Sequence, residues 1–275
     1  MSRRCGTRTF VQNRRPRTRC NVEERRDMKN VLVAMCTGGE QGRSFTCLET
    51  YVRAQIENSL DLGWAAQDIL LLTDFDYEYM GVEARRTSFH DSRPTTCKIF
   101  AVEALLRDVC GSEAFWVHDL DAWQNVEFAC PPFHEMGICQ HRKRTNPDFN
   151  SGSVFYRAAA GDIVAHLSSL LRSDEKRQEE ATLNQVLNEA AYKPRITVLN
   201  ATYNVGCTNF AARYLKSDLP IRVCHFHPER REHAAIHLWG RNILKARTVD
   251  RRLEGLIRRY FDVPSKPGEE RREKA

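Results

Sequence analysis

The chain has no apolar run approaching the roughly 20 residues that a membrane-spanning helix needs, so membrane insertion is not expected. Its first stretch, MSRRCGTRTFVQNRRPRTR, has no hydrophobic centre, which argues against a secretory signal. A transit peptide is the second reading, because the stretch is arginine-rich and free of acids. It lacks the amphipathic helical pattern of such peptides. No CxxC pair occurs among the 10 cysteines. Reduced thiols in a cytoplasmic setting are therefore the default expectation. The glycines at 38, 39 and 42 lack the Gly-Lys-Ser/Thr ending of a phosphate loop. No internal repeat is visible.

Acids are absent from residues 1–19, which hold seven arginines. The whole chain carries +6, so everything after that arm sums to −1. Basicity belongs to the arm and not to the fold. Such an arm either touches nucleic acid or another polyanion, or is a disordered, solubilising tail.

The 275 residues, 41% of them apolar, are enough to bury a real core. Residues 1–28 read as a basic disordered arm, 29–262 as one domain, and 263–275 as a disordered tail. Val31 to Met35 form a short apolar run that stops at Thr37-Gly38-Gly39, as a buried parallel strand ending in a turn does. Phe45, Leu48, Tyr51/Val52, Ile56 and Leu60 recur at helical spacing. DILLLTDFD reads as a second buried strand. A second helix carries Ile99, Val102, Leu105/Leu106 and Val109 on one face and stops at Gly111. AFWVHDLDAW reads as a third strand. This order implies βαβ units on a mostly parallel sheet flanked by helices, an α/β fold of Rossmann-like, mixed type. Ligands on such sheets collect at the carboxyl ends of the strands. After a polar, Pro-rich excursion over 131–148, FNSGSVFYRA reads as a strand. Helices follow at DIVAHLSSLL and EEATLNQVLNEAA, then strands at RITVLN and IRVCHFHP, then a terminal amphipathic helix at DRRLEGLIRRYF.

Two acidic pairs lie at predicted strand ends: Asp74 and Asp76 in DFD, and Asp119 and Asp121 in HDLDAW. In an extended chain, residues i and i+2 face the same side. Either pair could aim two hard oxygen ligands at a divalent ion that also binds phosphate oxygens. Equally, either could be a solvated turn or a helix cap. Cys130, His134, Cys139 and His141 form a second group of metal-ligand types, and a structural zinc is one reading of it. The two-residue step between the last two fits known spacings poorly. Trp116, Trp123 and Phe115 read as core or site wall.

Context separates the acidic pairs. HDLDAW follows the third strand and is succeeded in order by FNSGSVFYR, EEATLNQ and CHFHP. That ordered set resembles the GT-A nucleotide-sugar glycosyltransferases, particularly the glycogenin-like and bacterial galactosyltransferase branch. The resemblance spans residues 30–235 and implies a GT-A fold and a hexosyltransferase activity. It implies that Asp119, Asp121 and His225 hold Mn²⁺ (or Mg²⁺) on the diphosphate of a nucleotide-sugar, with a UDP-sugar favoured. Asn150, Ser151 and Gly152, with Arg157, match the segment that lines the donor sugar. Glu179, Glu180, Leu183 and Asn184 match a later acidic motif, in which Glu179 and Glu180 are the catalytic candidates. A solvated helix start is the other reading of these two glutamates. Lys98 resembles a basic residue that touches the donor. Thr37, Gly38 and Asp74 are the expected nucleoside contacts, with Asp74 alternatively capping a turn. Asp76 is expected to be structural or exposed.

Two departures stand out. The first acid of the later motif is Glu179 where the family usually has Asp. The family's HF-x-G-x-x-K ending is HFHPERRE here, so its lysine is missing and Arg230 or Arg231 stands nearby. The HDLDAWQ segment also resembles the metal motif of enzymes that glycosylate hypermodified bases in phage and kinetoplastid DNA. With the basic arm, it makes a hydroxymethylated pyrimidine in DNA one expected acceptor. A surface glycan or a protein is the alternative. From other classes, a nucleotidyltransferase lacks its Gly-rich signature here. A non-catalytic nucleic-acid-binding protein leaves the ordered motifs unexplained.

Overall fold

In the first strand, β1 (Met28–Ala34), Val31 and Val33 face one side while Leu32 and Ala34 face the other, and all four are buried. A strand that is apolar on both faces needs helices on both faces, and the computed structural model supplies them. It describes residues 28–36, 45–87, 96–109, 111–142, 148–242 and 244–265. Nearly all of the expected arm, the Thr37–Gly39 turn and most of the expected tail lie outside these residues.

Helix α1 (Phe45–Asp61) leads to β2 (Ile69–Thr73), then to a short hairpin of β3 (Glu78–Tyr79) and β4 (Val82–Arg86). Helix α2 (Cys97–Asp108) returns the chain to β5 (Ala114–His118), and β6 (Ala122–Gln124) follows. Next come β7 (Met136–Arg142), β8 (Asp148–Arg157), α3 (Gly161–Ser173), α4 (Glu179–Leu187) and β9 (Ile196–Leu199). The last third holds β10 (Val205–Gly206), α5 (Phe210–Leu215), β11 (Val223–His225), α6 (Arg231–His237) and α7 (Arg251–Tyr260).

The main sheet has the order β3-β4-β2-β1-β5-β8-β7-β9. Strands β4, β2, β1 and β5 run parallel, β8 runs antiparallel to β5 and β7, and β9 is parallel to β7. A separate three-stranded sheet has the order β10-β11-β6. This is the expected mixed, mostly parallel α/β fold. The chain crosses from β2 and β4 on one side of β1 to β5 on the other. Such a switch point opens a crevice at the carboxyl ends of β1 and β5.

Three apolar cores hold the layers together. Helices α2, α3 and α4 pack on one face of the main sheet through Ile99, Val102, Leu105, Val164, Leu167 and Leu183. On the other face, α1 packs through Leu48, Val52 and Ile56. The third core lies around Trp123, Phe226, Leu253 and Ile257, where α7 covers the small sheet. The α7 helix starts at Asp250, whose carboxylate accepts the Leu253 N–H at 2.7 Å.

Two elements differ from the sequence reading. The excursion over 131–148 contains β7, whose Ile138 and Cys139 are fully buried although its neighbours are polar. The expected single strand AFWVHDLDAW is broken into β5 and β6, in different sheets, by a turn at residues 119–121. The Ala122 N–H donates to the Asp119 carbonyl at 2.9 Å to close that turn.

Candidate active site

Asp119 and Asp121 therefore do not share one face of an extended strand. They converge because the turn folds both carboxylates inward. Gln55 on α1 clamps that turn, its Nε2 donating to the Leu120 carbonyl at 2.7 Å and the Ala122 carbonyl at 3.2 Å. On the opposite side, the Phe226 N–H donates to the Asp121 carbonyl at 2.8 Å, tying the turn to β11. Below it, buried His118 stacks on Trp116 with ring centroids 4.0 Å apart. His118 Nε2 lies 2.9 Å from the Asn30 side-chain oxygen and Nδ1 lies 3.0 Å from the Asp119 carbonyl.

His225, at the end of β11, reaches the same point. Its Nε2 is 3.4 Å from Asp121 Oδ1 and 3.7 Å from Asp119 Oδ2. Among the described residues, Asp119, Asp121 and His225 form the one group of three or more metal-ligand side chains whose ligand atoms lie within 4.8 Å of each other. Gly152 makes the approach possible, since a Cβ there would sit 2.1 Å from His225 Cε1. Two carboxylates and an imidazole suit a divalent ion such as Mn²⁺, so the donor set fits the expected metal.

Lys98 and Glu179 complete the inner wall. Lys98 Nζ donates to Asp119 Oδ1 at 2.5 Å and to the Ser151 carbonyl at 2.9 Å, and lies 3.3 Å from Glu179 Oε1. Burial works against the Lys98 charge, but Asp119 and Glu179 outweigh it, and the pKa is raised. Burial raises the Glu179 pKa, an effect that Lys98 only partly offsets. Burial also works against the Asp121 carboxylate, yet His225 and His227 hold it below the ordinary carboxylate range. Burial lowers the His225 pKa, but the Asp121 charge reverses this and leaves it raised.

Glu179 and Glu180 point in different directions. Glu179 faces Lys98, whereas Glu180 faces outward to His141 at 3.5 Å and accepts from Asn150 Nδ2 at 3.3 Å. The hydrogen bond from His141 keeps the Glu180 carboxylate below its usual pKa. Asn150 Oδ1 in turn accepts from the Gly152 N–H at 3.1 Å and from Asn204 Nδ2 at 2.8 Å. Asn150, Ser151, Gly152, Lys98, Glu179, Glu180 and the three candidate ligands thus form one connected cluster.

Other expected residues lie apart. Asp74 Oδ1 accepts the Cys36 N–H at 2.8 Å, so it joins the ends of β1 and β2. Asp76 is 86% exposed and sits 3.7 Å from Arg86, away from the cluster. Thr37 and Gly38 lie outside the described residues. Arg230 and Arg231 are exposed at the start of α6. Cys130, His134, Cys139 and His141 do not form a metal-binding group. Buried Cys139 donates to the Asn200 carbonyl at 3.2 Å, while His134 faces solvent beside Glu135.

Three contributors were not singled out from sequence. Gln55 is a polar residue on the apolar face of α1, a visible anomaly. His227 stands two residues beyond His225, and its Nε2 lies 3.1 Å from Asp121 Oδ2. Asn204 lies 3.2 Å from His225 Nδ1, and only the fold brings it there.

No protein-family model matches the chain, and no curated protein matches it in sequence. Solved structures do match. A galactosyltransferase, LgtC, solved with donor and acceptor sugar analogues, superposes with a TM-score of 0.53 at 13% identity, over 90% of this chain and 100% of that one. An active-site mutant of LgtC gives 0.54 at 15% identity, over the same shares of the two chains, 90% and 100%. The glycosyltransferase GlyE of Streptococcus pneumoniae gives 0.52 at 12% identity, over 85% of this chain and 61% of that one. The chain has the GT-A fold of these glycosyltransferases.

Proposed function

We propose that the protein is a metal-assisted glycosyltransferase that moves a sugar from a nucleotide-diphosphate donor to an acceptor hydroxyl. The observation that carries this is the convergence of Asp119, Asp121 and His225 on one point at the crevice between β1 and β5. Fold likeness alone would not define the activity. Asp119, Asp121 and His225 would hold the ion, with Mn²⁺ favoured over Mg²⁺ by the imidazole. When bound, the ion would offset the charge that develops on a departing diphosphate. A UDP-sugar in a cytoplasmic setting is the favoured donor.

Transfer breaks the bond from the sugar's C1 to the diphosphate oxygen, which leaves with the electron pair. A bond forms from the acceptor oxygen to C1, and the acceptor proton passes to a base. Glu180, held by Asn150 beside the cluster, is the candidate for that role. Glu179 instead orients Lys98, which holds Asp119. Asn150, Ser151 and Gly152 would meet the donor sugar, while Thr37, Gly38 and Asp74 would meet its nucleoside.

For the acceptor there are two readings. Transfer to a hydroxymethylated pyrimidine in DNA draws on the seven arginines of residues 1–19. Transfer to a glycan draws on a cavity of about 460 Å³ that shares His141 with Glu180. Calorimetric titration with UDP-sugars in Mn²⁺ tests the donor site. Binding that requires the metal and disappears in Asp121→Asn is expected; metal-independent binding, or none, would refute it.

A further inference from the structure

Beside the cluster, β7, β9 and α5 line a half-open cavity of about 460 Å³, within the range of about 300–1,000 Å³ typical of small-molecule sites. Its walls mix apolar groups from Val198, Leu199 and Ala212 with His141, Arg213 and Lys216. Arg213 is the anomaly. It is 4% exposed, and its Nε and Nη2 are buried with no hydrogen-bond acceptor among the described residues. Buried guanidinium groups are normally paired, because an unsatisfied buried donor loses its hydration with nothing in return, and a charged one loses the most. Burial lowers the Arg213 pKa, and the nearby Glu180 charge only partly compensates. Glu180 is itself engaged by His141 and Asn150. Lys216 adds a second cation at the exposed end of α5.

We propose that this cavity is the acceptor site and takes a sugar that carries an anionic group, a carboxylate or a phosphate, set against Arg213 and Lys216. The apolar side formed by Val198, Leu199 and Ala212 receives the sugar's carbon face. His141 links the cavity to Glu180, which places an acceptor hydroxyl next to the proposed base. The assignment rests on the reading of the Asp119 cluster as a glycosyl-transfer site.

The test is a calorimetric or NMR titration of the full chain, without donor, using glucuronate, glucose 6-phosphate and glucose as probes. At least one anionic sugar is expected to bind about tenfold or more tightly than glucose. Arg213→Met and the exposed Lys216→Glu are each expected to weaken that binding about tenfold or more. Lys216→Glu keeps the test decisive if Arg213→Met fails to fold. Glucose binding as tightly as the anionic sugars, or full affinity in Lys216→Glu, would overturn the proposal. So would duplex DNA that binds through Lys216 while neither anionic sugar binds. UDP-sugar binding with Mn²⁺, measured on the same preparation, separates the two layers. Donor binding without anionic-sugar binding sinks the cavity's role and leaves the transferase reading standing. Anionic-sugar binding without donor binding sinks the transferase reading, and the acceptor role with it.

Discussion

Replacing Gly152 by alanine would put a methyl carbon 2.1 Å from His225 Cε1, 2.3 Å from Nδ1 and 2.9 Å from Asn150 Oδ1. Ordinary contact begins at 3.4 Å, so the ring would have to retreat by about 1.3 Å. Neither side is free to give. Asn204 sits 3.2 Å from the ring's Nδ1, and the Gly152 carbonyl accepts the Asp119 N–H at 3.0 Å. Overpacking of this kind costs about 1–3 kcal/mol. For a chain of this size, that corresponds to a fall in Tm of about 2–12 °C. The larger effect is on the metal. Loss of an outer-shell partner typically costs 10–100-fold in affinity, so displacing His225 itself should cost at least about 100-fold. Electron paramagnetic resonance of free Mn²⁺ during titration, beside thermal unfolding, measures both. A Gly152→Ala protein that binds Mn²⁺ within about threefold of the wild type would refute the role given to His225.

Two further outcomes follow from the same geometry. Lys98→Met removes one partner of a buried charge cluster with Asp119 and Glu179. It should lower stability by about 3–5 kcal/mol in urea unfolding, and an unchanged midpoint would mean that Lys98 is dispensable. His237 is fully buried beside Thr248, and burial lowers its pKa to about 3. Burial likewise lowers the His118 pKa to about 4. Because the unfolded chain binds these protons below about pH 6.5 and the folded chain does not, stability falls as pH drops from 6.5 to 5. Glu179, whose pKa is raised, works the other way and reduces the slope. His237→Gln should cut the slope of stability against pH by up to about 1.4 kcal/mol per unit near pH 5 and by about half of that at pH 6.5, and an unchanged slope would contradict the neutral buried histidine.

The continuous apolar run in β1, the helical spacing in α1 and α2 and the order of the motifs made the α/β architecture legible, because each is a local pattern that burial enforces. The pairing of Asp119 with Asp121 was legible for an incomplete reason. Spacing implied one strand face, whereas the turn and its Gln55 clamp make the carboxylates meet. β7 was hidden because its short apolar centre sits between prolines and charged residues. The direction of Glu179 and Glu180 could not be read from sequence, since adjacent helical residues differ only in what the rest of the fold sets against them. Asn204 and Arg213 were invisible for the same reason. Their roles come from contacts across more than 30 residues, with Asn150 and with Cys139 and Glu180.

The most direct measurement is hydrolysis or transfer from a panel of sugar nucleotides in Mn²⁺ by the wild type, Asp121→Ala and Asp76→Ala. Turnover of at least one donor by the wild type and Asp76→Ala, with none by Asp121→Ala, is the predicted result. No turnover of any donor, or activity that survives in Asp121→Ala and is lost in Asp76→Ala, would contradict the assignment of the site.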